Sequence, residues 1–325
     1  MKKMLAVLLA GIVLLGALTG CSATKDPVGN EKYKIGIVQP SEHPSLNRSR
    51  DSIVSELEKL GMGDKVEITL HNANGDMNLL QSIMQNLMSE KVDMIVAIAT
   101  PAAQAALSAT RDVPIVFAAV SNPVEAGLVK DPAKPDGNIT GVSNSIPIAD
   151  IIGLSKVLTP NVKTLGLIYN SSEINSVASI EKTKAYCDKE GIAYKEAAIT
   201  STADIQQAVA SLTNQVDAYF TPNDNMVASA MTIYSQLATD AGKPIYVGAD
   251  AMVSDGGLAT VGIDYNLLGE QTGRMISRII NGESIGDNAV ETVSEYAKII
   301  NVSIADKLNI TIPTELEGEF VAVGK

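Results

Sequence analysis

Lys34-Ile-Gly-Ile-Val38 is a short apolar run with a glycine at its centre, and Thr164-Leu-Gly-Leu-Ile-Tyr169 repeats that pattern midway along the chain. Each run opens a series in which β-branched stretches alternate with longer segments of helical period, the signature of βαβ units and a parallel sheet. Strands are predicted at Lys34–Val38, Val66–Asn72, Met94–Ala99, Ile115–Ala119, Thr164–Tyr169, Ala193–Ala198, Ala218–Phe220, Ile245–Gly248 and Ala259–Ile263. Helices are predicted at Ser45–Leu60, Met77–Glu90, Pro101–Thr110, Ile148–Leu158, Asn175–Glu190, Thr202–Val209, Asn225–Asp240 and Leu267–Asn281. Pro101 suits a first helical turn, and Gly61, Gly191 and Gly242 stand where left-handed C-terminal caps are expected.

The duplication predicts an α/β protein of two Rossmann-like lobes, each a parallel sheet flanked by helices. The stretch Asn138–Pro147 is rich in turn formers and is the expected first crossing between lobes; Asp264-Tyr265 is the expected return. Lobe 1 is therefore read as 33–144 plus 264–295, and lobe 2 as 145–263 plus 296–325. Two lobes joined by several crossings make a hinged cleft.

Outside the lobes, Met1–Lys3 is basic, Leu5–Leu18 is apolar, and Leu18-Thr19-Gly20-Cys21 reads as a lipobox. Residues 1–20 are thus a lipoprotein signal peptide, Cys21 is the lipidation site, and 21–32 is a polar tether. The apolar run is shorter than the roughly 20 residues a membrane span needs. The expected location is outside the cytoplasm, anchored to the cell membrane by lipid. With 37 acidic and 25 basic residues the net charge is −12, which argues against nucleic acid as a partner. Cys187 is the only other thiol, so the mature chain has no disulfide framework.

Ligands of open parallel sheets sit beyond the carboxyl ends of the strands, and six polar loops follow strands here: Ser41–Ser45, Thr100-Pro101, Ser121-Asn122-Pro123, Asn170–Ser176, Thr221–Asn225 and Asp250–Gly257. N–H groups at helix starts suit a carboxylate, and Asp224 or Asp250 suits an ammonium. At any one position an ordinary N-cap or turn is the simpler account; the six together predict a binding cleft. Phe117 and Tyr169, at the ends of central strands, are read either as stacking surfaces or as core. His71 is read as structural and Met77, Met84 and Met88 as core packing. No Walker loop, dinucleotide turn, nucleophile elbow or metal-ligand spacing is found, so neither catalysis, cofactor nor metal is expected.

Several short motifs carry a family resemblance: His43-Pro44, Ala99–Gln104, Ser121–Gly127, Asn138–Gly141, Asn170–Ser172, Thr221–Asn225 and Gly257–Tyr265. With them the chain from about Tyr33 to Pro313 resembles the substrate-binding lipoproteins of ABC importers, in the subgroup of type I periplasmic-binding-protein fold associated with aromatic amino acids. The resemblance implies a monomeric receptor that closes over tryptophan, tyrosine or phenylalanine and docks on a permease. It assigns Thr100, Ser121 and Asn170, Ser171 and Ser172 to the ligand carboxylate, and Asp224 and Asp250 to its ammonium. The ring would lie near His43, Pro44 and Phe117, with Asn122, Tyr169, Asn223 and Gly257 completing the candidate site. Relatives often carry Asp where this chain has Asn122 and Asn47. A sensory receptor of the same fold is the alternative, and an extracellular hydrolase, acting through His43 or Asp224, a more distant one.

Overall fold

The two glycine-centred runs become strands that stand second from the edge of two sheets, and each glycine lets a large side chain lie against its strand. A methyl group on Gly36 would stand 2.6 Å from Leu87, and one on Gly166 2.7 Å from the Tyr219 ring. The computed structural model describes residues 32–293, 295–316 and 318–324; the signal peptide, Cys21 and the tether up to residue 31 lie outside the described residues.

The first sheet holds β1 (Tyr33–Gln39), β2 (Val66–Asn72), β3 (Met94–Ile98), β4 (Ile115–Val120), β5 (Ile139–Ser143) and, at its edge, β11 (Glu291–Thr292). Its order is β11-β5-β4-β3-β1-β2, and every pairing is parallel. Strands β3 and β4 are buried at every residue, which is why they read as unbroken apolar runs rather than alternating ones. Helices α1 (Pro44–Lys59), α2 (Met77–Glu90) and α3 (Thr100–Ala109) connect them.

The second sheet holds β6 (Thr164–Asn170), β7 (Ala193–Ile199), β8 (Ala218–Thr221), β9 (Ile245–Val247), β10 (Ala259–Ile263), β12 (Tyr296–Asn301) and β13 (Val321–Val323), in the order β13-β12-β10-β9-β8-β6-β7. Only β10 and β12 run antiparallel. Helices α4 (Ile148–Leu158), α5 (Ile174–Glu190), α6 (Ile205–Leu212), α7 (Asn225–Ser229), α8 (Met231–Asp240), α9 (Asp250–Ser254) and α11 (Val302–Lys307) accompany it, and α10 (Tyr265–Ile280) returns to lie along α1 of the first lobe. The expected architecture of two parallel-sheet lobes flanked by helices is borne out.

Three local expectations need correction. Asn138–Pro147 is not all crossing: Ile139–Ser143 is a wholly buried strand, and only 144–147 passes between the lobes. Its small residues are there because Gly141 faces the Phe117 backbone and ring, and Thr140 Oγ1 donates to the Asn288 carbonyl at 2.7 Å. The single helix expected over Asn225–Asp240 breaks at Ala230, whose φ −109° and ψ 12° lie outside the helical region. Its first turn is held to β6 by Asp224 while the remainder packs on α6. Met77 is half exposed rather than core, unlike Met84.

Candidate functional site

Strand order reverses between β3 and β1 in one sheet and between β8 and β6 in the other. At such switch points adjacent loops diverge and leave a crevice. The segments after those four strands are Pro40–His43, Ala99–Pro101, Ser171–Glu173 and Pro222–Asp224; residues of the first three, together with Asn225 and Met226 just beyond the fourth, line a cleft of about 580 Å³. One wall presents Pro40, Ser41, Glu42, Met77 and Pro101; the other presents Asn170, Ser172, Glu173, Ile174, Asn225 and Met226. The volume falls within the ~300–1,000 Å³ range of small-molecule sites.

Three bonded pairs join the walls. His43 Nε2 lies 3.3 Å from Asn225 Oδ1, and the Asn225 Nδ2 donates to Glu173 Oε2 at 2.5 Å. Because the amide nitrogen is committed to the carboxylate, its oxygen must accept from His43, so the imidazole carries its proton on Nε2 and Nδ1 is a bare acceptor. Asn223 Nδ2 donates to Ser121 Oγ at 3.0 Å and to the Asn144 carbonyl at 3.1 Å. Arg48 Nη1 donates to Asp250 Oδ2 at 2.8 Å.

Burial, opposed by the Asn225 bond, lowers the His43 pKa to about 4, which keeps the ring neutral. Burial and then the neighbouring Asp224 carboxylate push Glu173 up to about 7, against the pull of amide donors from Asn225, Asn170 and Asn175. Asp224 is raised by burial while caps and backbone donors oppose it: Asn170 N donates to it at 2.6 Å and Val227 N at 2.8 Å. Asp250 is raised by burial and drawn back by Arg48.

Several buried polar atoms here have no protein partner: Ser41 Oγ, His43 Nδ1, Thr100 Oγ1, Asn175 Oδ1 and Asn223 Oδ1. Buried polar groups are nearly always satisfied, so such a concentration marks where another molecule's donors and acceptors belong. Thr100 begins α3 directly after Ala99, whose φ 72° and ψ 158° form a backbone conformation costly for a residue with a side chain. The N–H groups of the first α3 turn are thereby turned toward the cleft end of the strand. Among the described residues no group of three or more His, Cys, Asp or Glu is arranged to hold a metal.

Of the residues anticipated from sequence, Asn170 and Ser172 line the cleft, His43 stands behind Asn225, and Thr100 starts the adjoining helix. Asn223 and Ser121 bond to each other across the lobes. Pro44 and Ser171 are exposed beside the cleft. Asn122 caps a turn through Glu125 N, and Gly257 closes the turn after α9 by bonding to Met252. Asp224 is the N-cap of α7 and Asp250 pairs with Arg48, so each carboxylate already has partners. Phe117 is not brought to the cleft: it is fully buried in the core between the first sheet and α2 and α3. Tyr169 likewise turns away, its hydroxyl donating to Glu196 at 3.2 Å. His71 bonds only to Thr69 Oγ1, and Cys187 is buried, its thiol pushed up to about 11. Glu173 and Asn175 were missed as individuals, although both lie in the loop Asn170–Ser176.

Residues 34–321 match the model of the family described as ABC transporter substrate binding protein. The chain belongs to this family. It is 40% identical over 311 residues to a tyrosine-binding protein of Clostridioides difficile (strain R20291), covering 92% of this chain and 90% of that one. A crystal structure described as an ABC domain in complex with L-Trp from Streptococcus pneumonia is 41% identical, covers 90% of this chain and 100% of its own, and superposes with a TM-score of 0.87. The ligand-free, open structure of a substrate-binding protein with adhesive properties from Clostridium difficile is 40% identical over 90% of this chain and 99% of its own, yet its TM-score is 0.69. At nearly the same identity, this family member therefore superposes better on the liganded relative than on the open one. Among the described residues no helix is long and apolar enough to cross a membrane.

Proposed function

We propose that this substrate-binding protein captures a free aromatic amino acid between its lobes, closes over it and delivers it to an ABC permease. It would do so outside the cytoplasm, held to the membrane by lipid on Cys21. One observation carries this reading: strand-end segments of both lobes, with the polar side chains of Ser41 and Glu42 on one side and Ser172 and Glu173 on the other, line a single cleft. Between those polar atoms, Met77, Ile174 and Met226 offer the apolar surface an aromatic ring needs. The tyrosine and L-Trp ligands of relatives about 40% identical support the same class of ligand.

The test is a thermal-shift and calorimetric screen of the purified protein against tryptophan, tyrosine, phenylalanine, aliphatic amino acids, nucleosides and sugars. Aromatic amino acids are expected to bind at micromolar or tighter affinity and to stabilise the fold by about 2.7 kcal/mol at a hundredfold excess over Kd. A best ligand lacking either an aromatic ring or the amino-acid group would sink the reading. For the anchor, Cys21→Ala should move the protein from the membrane fraction to the soluble one.

A further inference from the structure

Glu173 precedes α5 as its N-cap residue, yet its side chain makes no cap bond to that helix. A polar side chain in this position ordinarily satisfies the first N–H groups of its own helix. Here the carboxylate turns aside and is buried, 7% exposed, where three segments meet. Oε1 accepts from Asn170 Nδ2, at the end of β6, and from Met226 N, in α7, at 3.2 Å each. Oε2 accepts from Asn175 Nδ2, in the first turn of α5, at 3.3 Å, and from Asn225 N and Nδ2 at 3.4 and 2.5 Å. Five donors saturate the roughly four lone-pair sites of a carboxylate. Glu173 therefore orders the cleft wall and has no acceptor capacity left for a ligand.

One of the five bonds reaches beyond this wall. Asn225 is 8% exposed, and the two ends of its amide face different lobes: Nδ2 lies on Glu173, and Oδ1 lies 3.3 Å from His43 Nε2 of the first lobe. A side-chain amide can turn over with almost no change of shape. Turned over, Asn225 would set its oxygen against the Glu173 carboxylate, acceptor on acceptor, and offer its N–H to His43. An acceptor-only carboxylate excludes that arrangement, so Glu173 chooses which end of Asn225 faces the other lobe. Asp224 does not share this task. It accepts from Asn170 N at 2.6 Å and Val227 N at 2.8 Å, and so ties the α7 backbone to β6. Backbone placement and amide orientation thus have separate holders.

We propose that Glu173 is a positioning residue for lobe closure: it holds the Asn225 amide with its oxygen toward His43, so that the interlobe bond forms as the cleft shuts. The proposal rests on the reading that the protein captures its ligand by closing over it, and it requires no contact between Glu173 and that ligand. The effect of Glu173 on affinity passes through the His43–Asn225 bond and vanishes when His43 cannot donate.

The experiment is a double-mutant cycle read by calorimetry with tryptophan at pH 8, above the value of about 7 to which burial pushes Glu173. Glu173→Gln keeps the shape of the side chain but sets an amide N–H against donors, and His43→Phe keeps a ring without the Nε2 proton. Each single change is expected to weaken tryptophan binding about 10-fold, and the two together no more than about 3-fold beyond either alone. A Glu173→Gln loss that is undiminished in the His43→Phe background, or no loss in the otherwise wild-type protein, overturns the proposal. Nitrogen-15 spectra of the wild-type His43 ring, with and without tryptophan, decide the matter even where a variant does not fold. A protonated Nε2 and a bare Nδ1 are expected; a protonated Nδ1 would mean that Asn225 presents its N–H to the ring, and overturns the assignment. If tryptophan fails to bind wild type, the amino-acid reading falls, while the ligand-free spectrum still judges the orientation that Glu173 imposes.

Discussion

His43 shows how one residue's surroundings set its chemistry. Its ring is buried, and the Asn225 oxygen fixes its tautomer, so in the folded state it takes up a proton only near pH 4. The unfolded chain takes it up near 6.5. The folded value is depressed, so the stability this residue permits is fully present above pH 6.5 and is lost as the pH falls toward 4. Urea unfolding at pH 7 and pH 5 is expected to cost wild type about 2 kcal/mol on this account, a loss that His43→Gln should not suffer. An equal decline in both proteins would contradict it. The positions of His43, Thr100, Asn170 and Asp224 at strand ends and helix starts were legible because that arrangement can be found by pattern. Glu173 was not: an acid at a helix start looks like any solvated cap, and its burial depends on Asn225, 52 residues further on.

Among the elements, β5 and the break after α7 separate local from tertiary causes. Glycine, serine and asparagine in Asn138–Pro147 signal a turn, yet Phe117 of β4 fills the space over Gly141 and turns the same residues into a strand. Phe117→Ala should then behave as a core truncation. It is expected to lower unfolding free energy by about 3–5 kcal/mol while leaving ligand affinity, measured well below the melting temperature, within a few-fold of wild type. A selective loss of affinity with unchanged stability would instead return Phe117 to the binding surface. Apart from β5, the break at Ala230 and the short α9, the strand and helix pattern from Tyr33 to Ile263 was legible through its alternating periodicities. Strands β12 and β13 were not, since both are only partly buried, β12 takes its place by pairing antiparallel with β10, and the three-residue β13 is added on the far side of β12.

For the whole molecule, the relevant equilibrium is between open and closed lobes. His43–Asn225, Ser121–Asn223 and Arg48–Asp250 join the lobes in the arrangement seen here. Each favours closure only to the extent that it is lost on opening. Because Arg48 is partly exposed, removing it should shift that balance modestly. Arg48→Ala is expected to weaken ligand binding by roughly 3- to 10-fold, chiefly through faster release. Small-angle scattering of the ligand-free variant should give a larger radius of gyration than wild type. An unchanged radius and affinity would mean that the ion pair does not report on closure.

The amino-acid sequence by itself determined the two βα series and the polar loops at their strand ends, because periodicity and cap chemistry are local properties. Tertiary structure alone decided which of those loops share a cleft, which aromatic residues are core, and that Glu173 is buried against Asn225 and beside the Asp224 carboxylate. Burial, tautomer and uncompensated charge are set by groups distant in the chain, and no local pattern encodes them.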